Sequence, residues 1–103
     1  GCAQALGGAL PMLAVDFKTL MGTLEGERSE INRKALLDTL VKDSKLTARQ
    51  LVAIMGAFRS EIYQLDIARE NVERVVDPKA AVRSASMFRS SISKREFIEL
   101  MSR

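Results

Sequence analysis

Three stretches of this 103-residue chain share one pattern: SEINRKALLDTL (29–40), SKLTARQLVAIM (44–55) and SSISKREFIELM (90–101). The third position is aliphatic in each stretch and the fourth suits a helix N-cap: Ile31 and Asn32, Leu46 and Thr47, Ile92 and Ser93. An N-cap side chain accepts a hydrogen bond from a free N–H of the first turn, and an aliphatic residue before it packs on the helix as a hydrophobic staple. The pattern therefore predicts three helix starts capped by the fourth-position residues.

Two longer segments have helical periodicity of their own. Apolar residues at helical spacing predict a helix over 11–24, with Leu13 on its inner face. The same spacing predicts a helix over 61–75, with Ile62 among the inward residues. Both segments are too short to be stable alone in water, so they must be stabilised by packing on neighbouring helices.

A further helix start is predicted at Asp77, where an acid in the N-cap position precedes a proline in the first helical position, Pro78. This helix is expected to run to about Met87. No segment alternates as a strand would. The predicted fold is all-α: a compact array of about six short helices in one domain, residues 11–103, arranged as helical-hairpin repeats.

The composition is that of a soluble globular domain, with 47% hydrophobic and 28% charged residues. The net charge of +3 and the isoelectric point near 9.4 describe a mildly basic protein, which makes nucleic acid an unexpected partner. Residues 1–10 are almost uncharged and are expected to form a flexible N-terminal arm. Gly1 and Cys2 resemble the end of a bacterial lipoprotein signal, so a membrane partner is expected only if Cys2 carries a lipid. The sequence leaves the compartment open between exported lipoprotein and cytoplasm.

Catalytic and metal-binding groups are scarce. The chain has no histidine, the commonest general base and transition-metal ligand, and its single cysteine cannot form an internal disulfide. Ser91 and Lys94 have the spacing of a Ser–Lys dyad, but the neighbouring Ser93 is better explained as a helix cap. We therefore expect no enzymatic activity, no cofactor and no metal.

One stretch, residues 79–95, is basic throughout and is the best candidate for a binding site. Its cationic residues are Lys79, Arg83, Arg89, Lys94 and Arg95. The leading hypothesis is a non-catalytic helical module that binds a partner protein or a neighbouring domain. The alternative is an electrostatic binder that uses the basic stretch on nucleic acid or an anionic membrane.

The helix-start motifs also resemble a known family. They are Phe17-x-x-Leu20, then Leu46-Thr47-x-x-Gln50-Leu51-x-x-Ile54-Met55-x-x-Phe58, then Val76-Asp77-Pro78, then Phe88-x-x-Ser91 with Ser93-Lys94-Arg95. Together they span about residues 13–102 and resemble the family catalogued as domain of unknown function 4476. The resemblance implies a small all-helical module, attached in bacteria to exported proteins and in eukaryotes to multidomain ones. It brings no catalytic residues with it.

Overall fold

Five α-helices follow one another in the computed structural model, which describes residues 10–103. They are α1 (Ala14–Glu25), α2 (Glu30–Leu40), α3 (Ala48–Met55), α4 (Glu61–Asn71) and α5 (Ser91–Met101). A short 3₁₀ turn, Val72–Arg74, continues α4, and a 3₁₀-helix, Pro78–Met87, separates α4 from α5. Over the described range there is no strand, only isolated β-bridges. The prediction of an all-α array of about six short helices is therefore confirmed. The predicted arm, apart from Leu10, lies outside the described residues.

The helices pack in pairs and the pairs lie side by side. α1 packs on α2, α3 on α4, and the 3₁₀-helix on α5. The second and third pairs are joined by contacts of α3 with the 3₁₀-helix and of α4 with α5. The molecule measures 46 × 31 × 17 Å, and its shortest dimension is that of about two layers of helices.

The core runs through all three pairs. Its largest side chains, Phe88 and Phe97, are almost completely buried, and their ring centroids lie 5.4 Å apart. Two polar side chains are buried with them. The Gln64 amide donates to the carbonyls of Met55 (3.2 Å) and Phe58 (2.8 Å). Every buried side-chain nitrogen and oxygen in the described part has a hydrogen-bond partner, so burial leaves no polar atom unsatisfied there.

The residues that precede α1, α3 and the 3₁₀-helix lie next to one another. The Met12 N–H donates to the carbonyl of Lys45 (2.8 Å). Leu46 donates to the carbonyl of Arg74 (2.9 Å) and accepts from the N–H of Val76 (2.9 Å). These backbone hydrogen bonds bring the starts of the three helices to one end of the array.

The predicted cap at Thr47 is confirmed. Its hydroxyl accepts from the N–H of Gln50, and the Gln50 side chain accepts from the N–H of Thr47, both at 3.0 Å. Leu46, before the cap, and Leu51, at the fourth helical position, are both fully buried. This is the expected geometry of a capping box with a hydrophobic staple.

The predicted caps at Asn32 and Ser93 are wrong, because both helices begin one turn earlier. Ser29 is the N-cap of α2 and Ser90 is the N-cap of α5. Their hydroxyls accept from the N–H groups of Asn32 (3.3 Å) and Ser93 (3.4 Å). Each stretch offers polar residues at its first and fourth positions, and in these two the first position starts the helix.

The shift by one turn exposes the residues that were predicted to be staples. Ile31 and Ile92 now lie inside the first turns of α2 and α5 and face solvent. Ile62, predicted to point inward, is exposed at the same position of α4. Leu13 is exposed as well, because α1 begins at Ala14 and not at residue 11.

Asp77 begins a helix as predicted, but it caps a different one. Its side chain makes no hydrogen bond to the 3₁₀-helix that follows it. Instead, its carboxylate accepts the N–H of Ala48 at 2.8 Å, in the first turn of α3. The carboxylate therefore ties the third helix pair to the second.

Candidate functional site

Two glutamates connect the starts of successive helices. The Glu30 carboxylate, at the start of α2, accepts the backbone N–H groups of Arg59 and Ser60, just before α4. The Glu61 carboxylate, at the start of α4, accepts those of Arg89 (2.6 Å) and Ser90 (3.3 Å), just before α5. These contacts place the starts of α2, α4 and α5 side by side, in that order.

The three helix starts have nearly the same sequence, and we call them the helix-start row. It consists of Arg-Ser-Glu-Ile at 28–31, Arg-Ser-Glu-Ile at 59–62 and Arg-Ser-Ser-Ile at 89–92. In each member the serine is the N-cap, with its hydroxyl accepting an N–H of the first turn. The isoleucine at the second helical position is largely exposed: 69% for Ile31, 76% for Ile62 and 77% for Ile92. The row thus presents three large aliphatic side chains to solvent at one end of the array.

The row also carries cationic side chains without partners. The guanidinium groups of Arg28, Arg59 and Arg89 are exposed, and none forms a hydrogen bond or ion pair within residues 10–103. The carboxylates of Glu30 and Glu61 are occupied by backbone N–H groups. The charges left available to a ligand are therefore those of the arginines.

A groove of about 400 Å³ separates the first and second members of the row. Its lining includes Arg28, Glu30, Arg33 and Arg59. Arg33 forms part of the scaffold, since its guanidinium donates to the carbonyl of Glu27 (2.9 Å from Nε) and to that of Ala57. The exposed arginines at either side of the groove keep their full hydrogen-bonding capacity.

The residues of the predicted basic site fall into two groups. Lys79 and Arg83 lie on the 3₁₀-helix, and Arg89 follows its end, about 20 Å from Lys79 at the rise of a 3₁₀-helix. Lys94 and Arg95 lie on α5, close to Arg89 in sequence. Arg89 belongs to the row, Lys94 and Arg95 lie on the helix that follows it, and Lys79 and Arg83 lie on a different helix. Binding by these residues stays a prediction.

Sequence reasoning missed the helix-start row itself. The alignment of 29–40 with 44–55 and 90–101 placed Ser44 opposite Ser29, although Ser44 lies in the loop before α3. The recurrence of Arg-Ser-Glu-Ile at 28–31 and 59–62 was the signal that could have found it. The sequence pattern instead predicts Ile31 and Ile92 as staples before a helix cap, and helical periodicity predicts Ile62 as an inward residue.

Ion pairs on the outer faces of α2, α4 and α5 join neighbouring helices. The Lys34 ammonium contacts Asp38 at 3.3 Å and also Glu70 of α4. Burial opposes the charged form of Lys34, but hydrogen bonds and attraction to Glu70 and Asp38 outweigh it, so the pKa of Lys34 is raised. Arg69 pairs in the same way with Asp66 at 2.7 Å and with Glu96 of α5. These contacts belong to the scaffold.

Three further observations concern metal ligands, membrane-spanning helices and the Ser91–Lys94 spacing, all within the described part of the chain. No group of three or more potential metal ligands is present among the described residues. None of the described helices is long and apolar enough to cross a bilayer. Ser91 and Lys94 share no hydrogen bond there. A wider groove of about 830 Å³ lies between α1 and the loop before α3, lined by side chains of mixed character.

The fold and the row define a class of protein: a small all-α domain of paired short helices with an exposed aliphatic and cationic surface at one end. The chain belongs to the family described as Domain of unknown function (DUF4476), whose model matches residues 11–101. The family resemblance of the helix-start motifs is thereby confirmed. Neither the search of curated proteins nor the search of solved structures found a match.

Proposed function

We propose that this domain is a non-catalytic protein-interaction module and that the helix-start row is its docking surface. In this proposal the three helix pairs act as stacked repeats that hold the row rigid. The observation that carries the proposal is the exposure of Ile31, Ile62 and Ile92 in one row. Exposed apolar side chains that gather in one place are typical of interaction sites, whereas singly scattered ones are not.

The architecture supports a rigid docking surface. Each isoleucine lies on the first turn of a helix whose start is fixed by a serine cap. Glu30 and Glu61 fix neighbouring helix starts relative to each other. Because the side chains are held on helices and not on loops, binding a partner costs little ordering entropy.

The test uses the purified domain as bait in a lysate of its source cells. The triple variant Ile31→Asp, Ile62→Asp and Ile92→Asp removes the apolar row, and acids in the first turn suit the helix dipole, so folding is preserved. Val15→Asp is the matched control, since Val15 is 67% exposed but lies on α1. We expect a protein retained by wild type and control and lost by the triple variant. Identical retention by all three baits would contradict the proposal.

The second candidate function is electrostatic binding through the 79–95 stretch to nucleic acid or an anionic membrane. In its favour, none of its five cations takes part in a salt bridge within the described range. Binding of this kind weakens steeply with salt, because counterions are released on association. Titration of duplex DNA and of anionic vesicles at several salt concentrations tests it, and a flat salt response would exclude it.

The proposal that the module is not an enzyme has its own support. The chain lacks histidine, and Ser91 is exposed with no base bonded to it in the described structure. A screen of ester and phosphoester substrates should show no turnover. Hydrolysis that is lost in Ser91→Ala would contradict this part of the proposal.

A further inference from the structure

We infer that the helix-start row binds an extended acidic segment of its partner, one that presents an aliphatic side chain at every third residue between carboxylates. This inference rests on the proposed function and specifies the chemistry of the partner. Three features carry it: the spacing of the isoleucines, the free arginines between them and the groove between the first two members of the row.

The spacing of the three isoleucines indicates the backbone conformation of the partner segment. α4 and α5 pack on each other, and packed helices have axes 8–10 Å apart, so Ile62 and Ile92 are expected to lie about 10 Å apart. The Glu30 carboxylate holds the N–H groups just before α4, so Ile31 is expected at a similar distance from Ile62. A polyproline II segment has three residues per turn and rises about 3.1 Å per residue, so every third side chain recurs on one face after about 9 Å. A β-strand repeats on one face after about 7 Å, which does not match the row. A polyproline II segment can therefore meet all three isoleucines in succession.

The charges select an acidic segment. Each isoleucine of the row lies three residues after an exposed arginine, and none of the three guanidinium groups has a partner among the described residues. Arginine pairs with a carboxylate through two parallel, charge-assisted hydrogen bonds, which are stronger than those to a neutral acceptor, and a lysine side chain accepts none. The nearby carboxylates of Glu30 and Glu61 do not compete, because backbone N–H groups occupy them.

The two ends of the row differ in charge. Ser91 occupies the position that Glu30 and Glu61 hold in the first two members, so the third member adds no carboxylate to the row. The acid beside Arg89 is Glu61 of the second member, and backbone N–H groups occupy it. Arg95 is also exposed on the same helix. At the other end, the groove of about 400 Å³ lies between Arg28 and Arg59 and offers a recess for a carboxylate side chain. The segment's acids are expected to matter most beside α5.

The experiment measures fluorescence anisotropy with three labelled synthetic peptides. The first is four repeats of Ile-Glu-Pro, the second replaces every Glu by Lys, and the third keeps the composition of the first but gathers all isoleucines at one end. We expect the first to bind at least about tenfold more tightly than either of the others, a difference of about 1.4 kcal/mol. Ile62→Asp should weaken it at least about tenfold, Val15→Asp should leave it unchanged, and Arg89→Glu should reduce the preference for Glu over Lys.

The outcomes separate this inference from the proposed function. Equal binding of the Glu and Lys peptides overturns the inference of an acidic segment but not the proposed function. The same holds if the first peptide does not bind while the bait experiment still yields a protein whose retention depends on the row. If the domain binds anionic phosphatidylglycerol vesicles and Ile62→Asp abolishes this binding, the row binds a membrane surface and the inference of an acidic segment is overturned. Peptide binding that is unchanged by Ile62→Asp overturns the row as a docking surface altogether.

Discussion

The first helix pair and the later helices are stabilised in different ways. α1 buries two side chains and α2 buries one, whereas α3 buries four and α4 buries five. The first pair is instead connected to the rest by polar contacts, among them Arg33 with the Ala57 carbonyl and Gln50 with the Met12 carbonyl (2.9 Å). The guanidinium of Arg74 adds a hydrogen bond to the carbonyl of Val41 (3.1 Å).

The difference suggests a division of roles along one chain. Burial of apolar area stabilises α3, α4, the 3₁₀-helix and α5 as a common core. Hydrogen bonds contribute less each, but they are directional, so they set the position of the first pair and with it the first member of the helix-start row. We therefore expect the first pair to open locally before the rest unfolds.

The largest effect on stability is expected from truncating a buried side chain in the core of the later helices. Phe97→Ala removes a fully buried ring that packs on Phe88, and we expect it to lower the free energy of unfolding by about 3–5 kcal/mol. Urea unfolding followed by circular dichroism measures the loss. A loss below about 1 kcal/mol would show that this region is not the core of the domain.

A smaller and more local effect is expected where the first helix pair contacts the rest of the domain. Arg33→Met removes the hydrogen bonds to the carbonyls of Glu27 and Ala57 and should cost about 1.5–3 kcal/mol. Hydrogen exchange should show lower protection in α1 and α2 than in α4 and α5. Arg49→Met is the control, because Arg49 is exposed and has no hydrogen-bonded side chain in the described part. A uniform loss of protection over all helices would contradict the division between the two regions.

The capping residues of α3 and α5 test the helix starts in the region of the later helices. Thr47→Ala and Ser90→Ala each remove a cap and should cost about 0.5–2 kcal/mol. Ser93→Ala should change the free energy of unfolding by less than about 0.5 kcal/mol, since its hydroxyl caps nothing. If Ser93→Ala proved as costly as Ser90→Ala, the assigned start of α5 would be one turn too early.

The helix starts also show how far the sequence could predict the fold. Periodicity and capping patterns identified the helices. The cap at Thr47 is confirmed, with Leu46 buried before it and Gln50 completing the box. At the other two starts, polar residues one turn apart compete for the cap, and local chemistry does not decide between them. At the start of α5 a tertiary contact favours Ser90, because the Glu61 carboxylate accepts its N–H.

The recurrence of Arg-Ser-Glu-Ile could have marked the helix-start row, but the exposure of its isoleucines could not be predicted from the sequence. An isoleucine at helical spacing is equally compatible with the core and with a docking surface, and only the packing of neighbouring helices distinguishes them. The basic residues of 79–95 were visible in the sequence, but their division between the 3₁₀-helix and α5 depends on the fold. Contacts between residues about 30 positions apart, such as Glu30 with Ser60, have no local signal.

The smallest expected effect concerns the ion pairs between α2 and α4. Lys34→Met keeps most of the apolar stem and loses the attraction to Glu70 and Asp38, at a cost of about 0–1 kcal/mol at neutral pH. Because folding raises the pKa of Lys34, its contribution is present below the ordinary value of 10.5 and is lost as the pH rises through the folded pKa. Wild type and variant should therefore converge in stability at high pH. Lys18→Met, on the exposed face of α1, should show no such dependence.

The central claim is that α2, α4 and α5 begin side by side and present one row of isoleucines. A spin label on the middle member of the helix-start row tests this claim most directly. The label is attached to Ile62→Cys in a Cys2→Ser background, and the amide signals are observed by NMR. The account predicts strong broadening at residues 28–31 and at residues 89–92, with little at Val15, since the start of α1 lies at the other end of the array. Broadening confined to one neighbour, or stronger at Val15 than at Ile31 and Ile92, would contradict it.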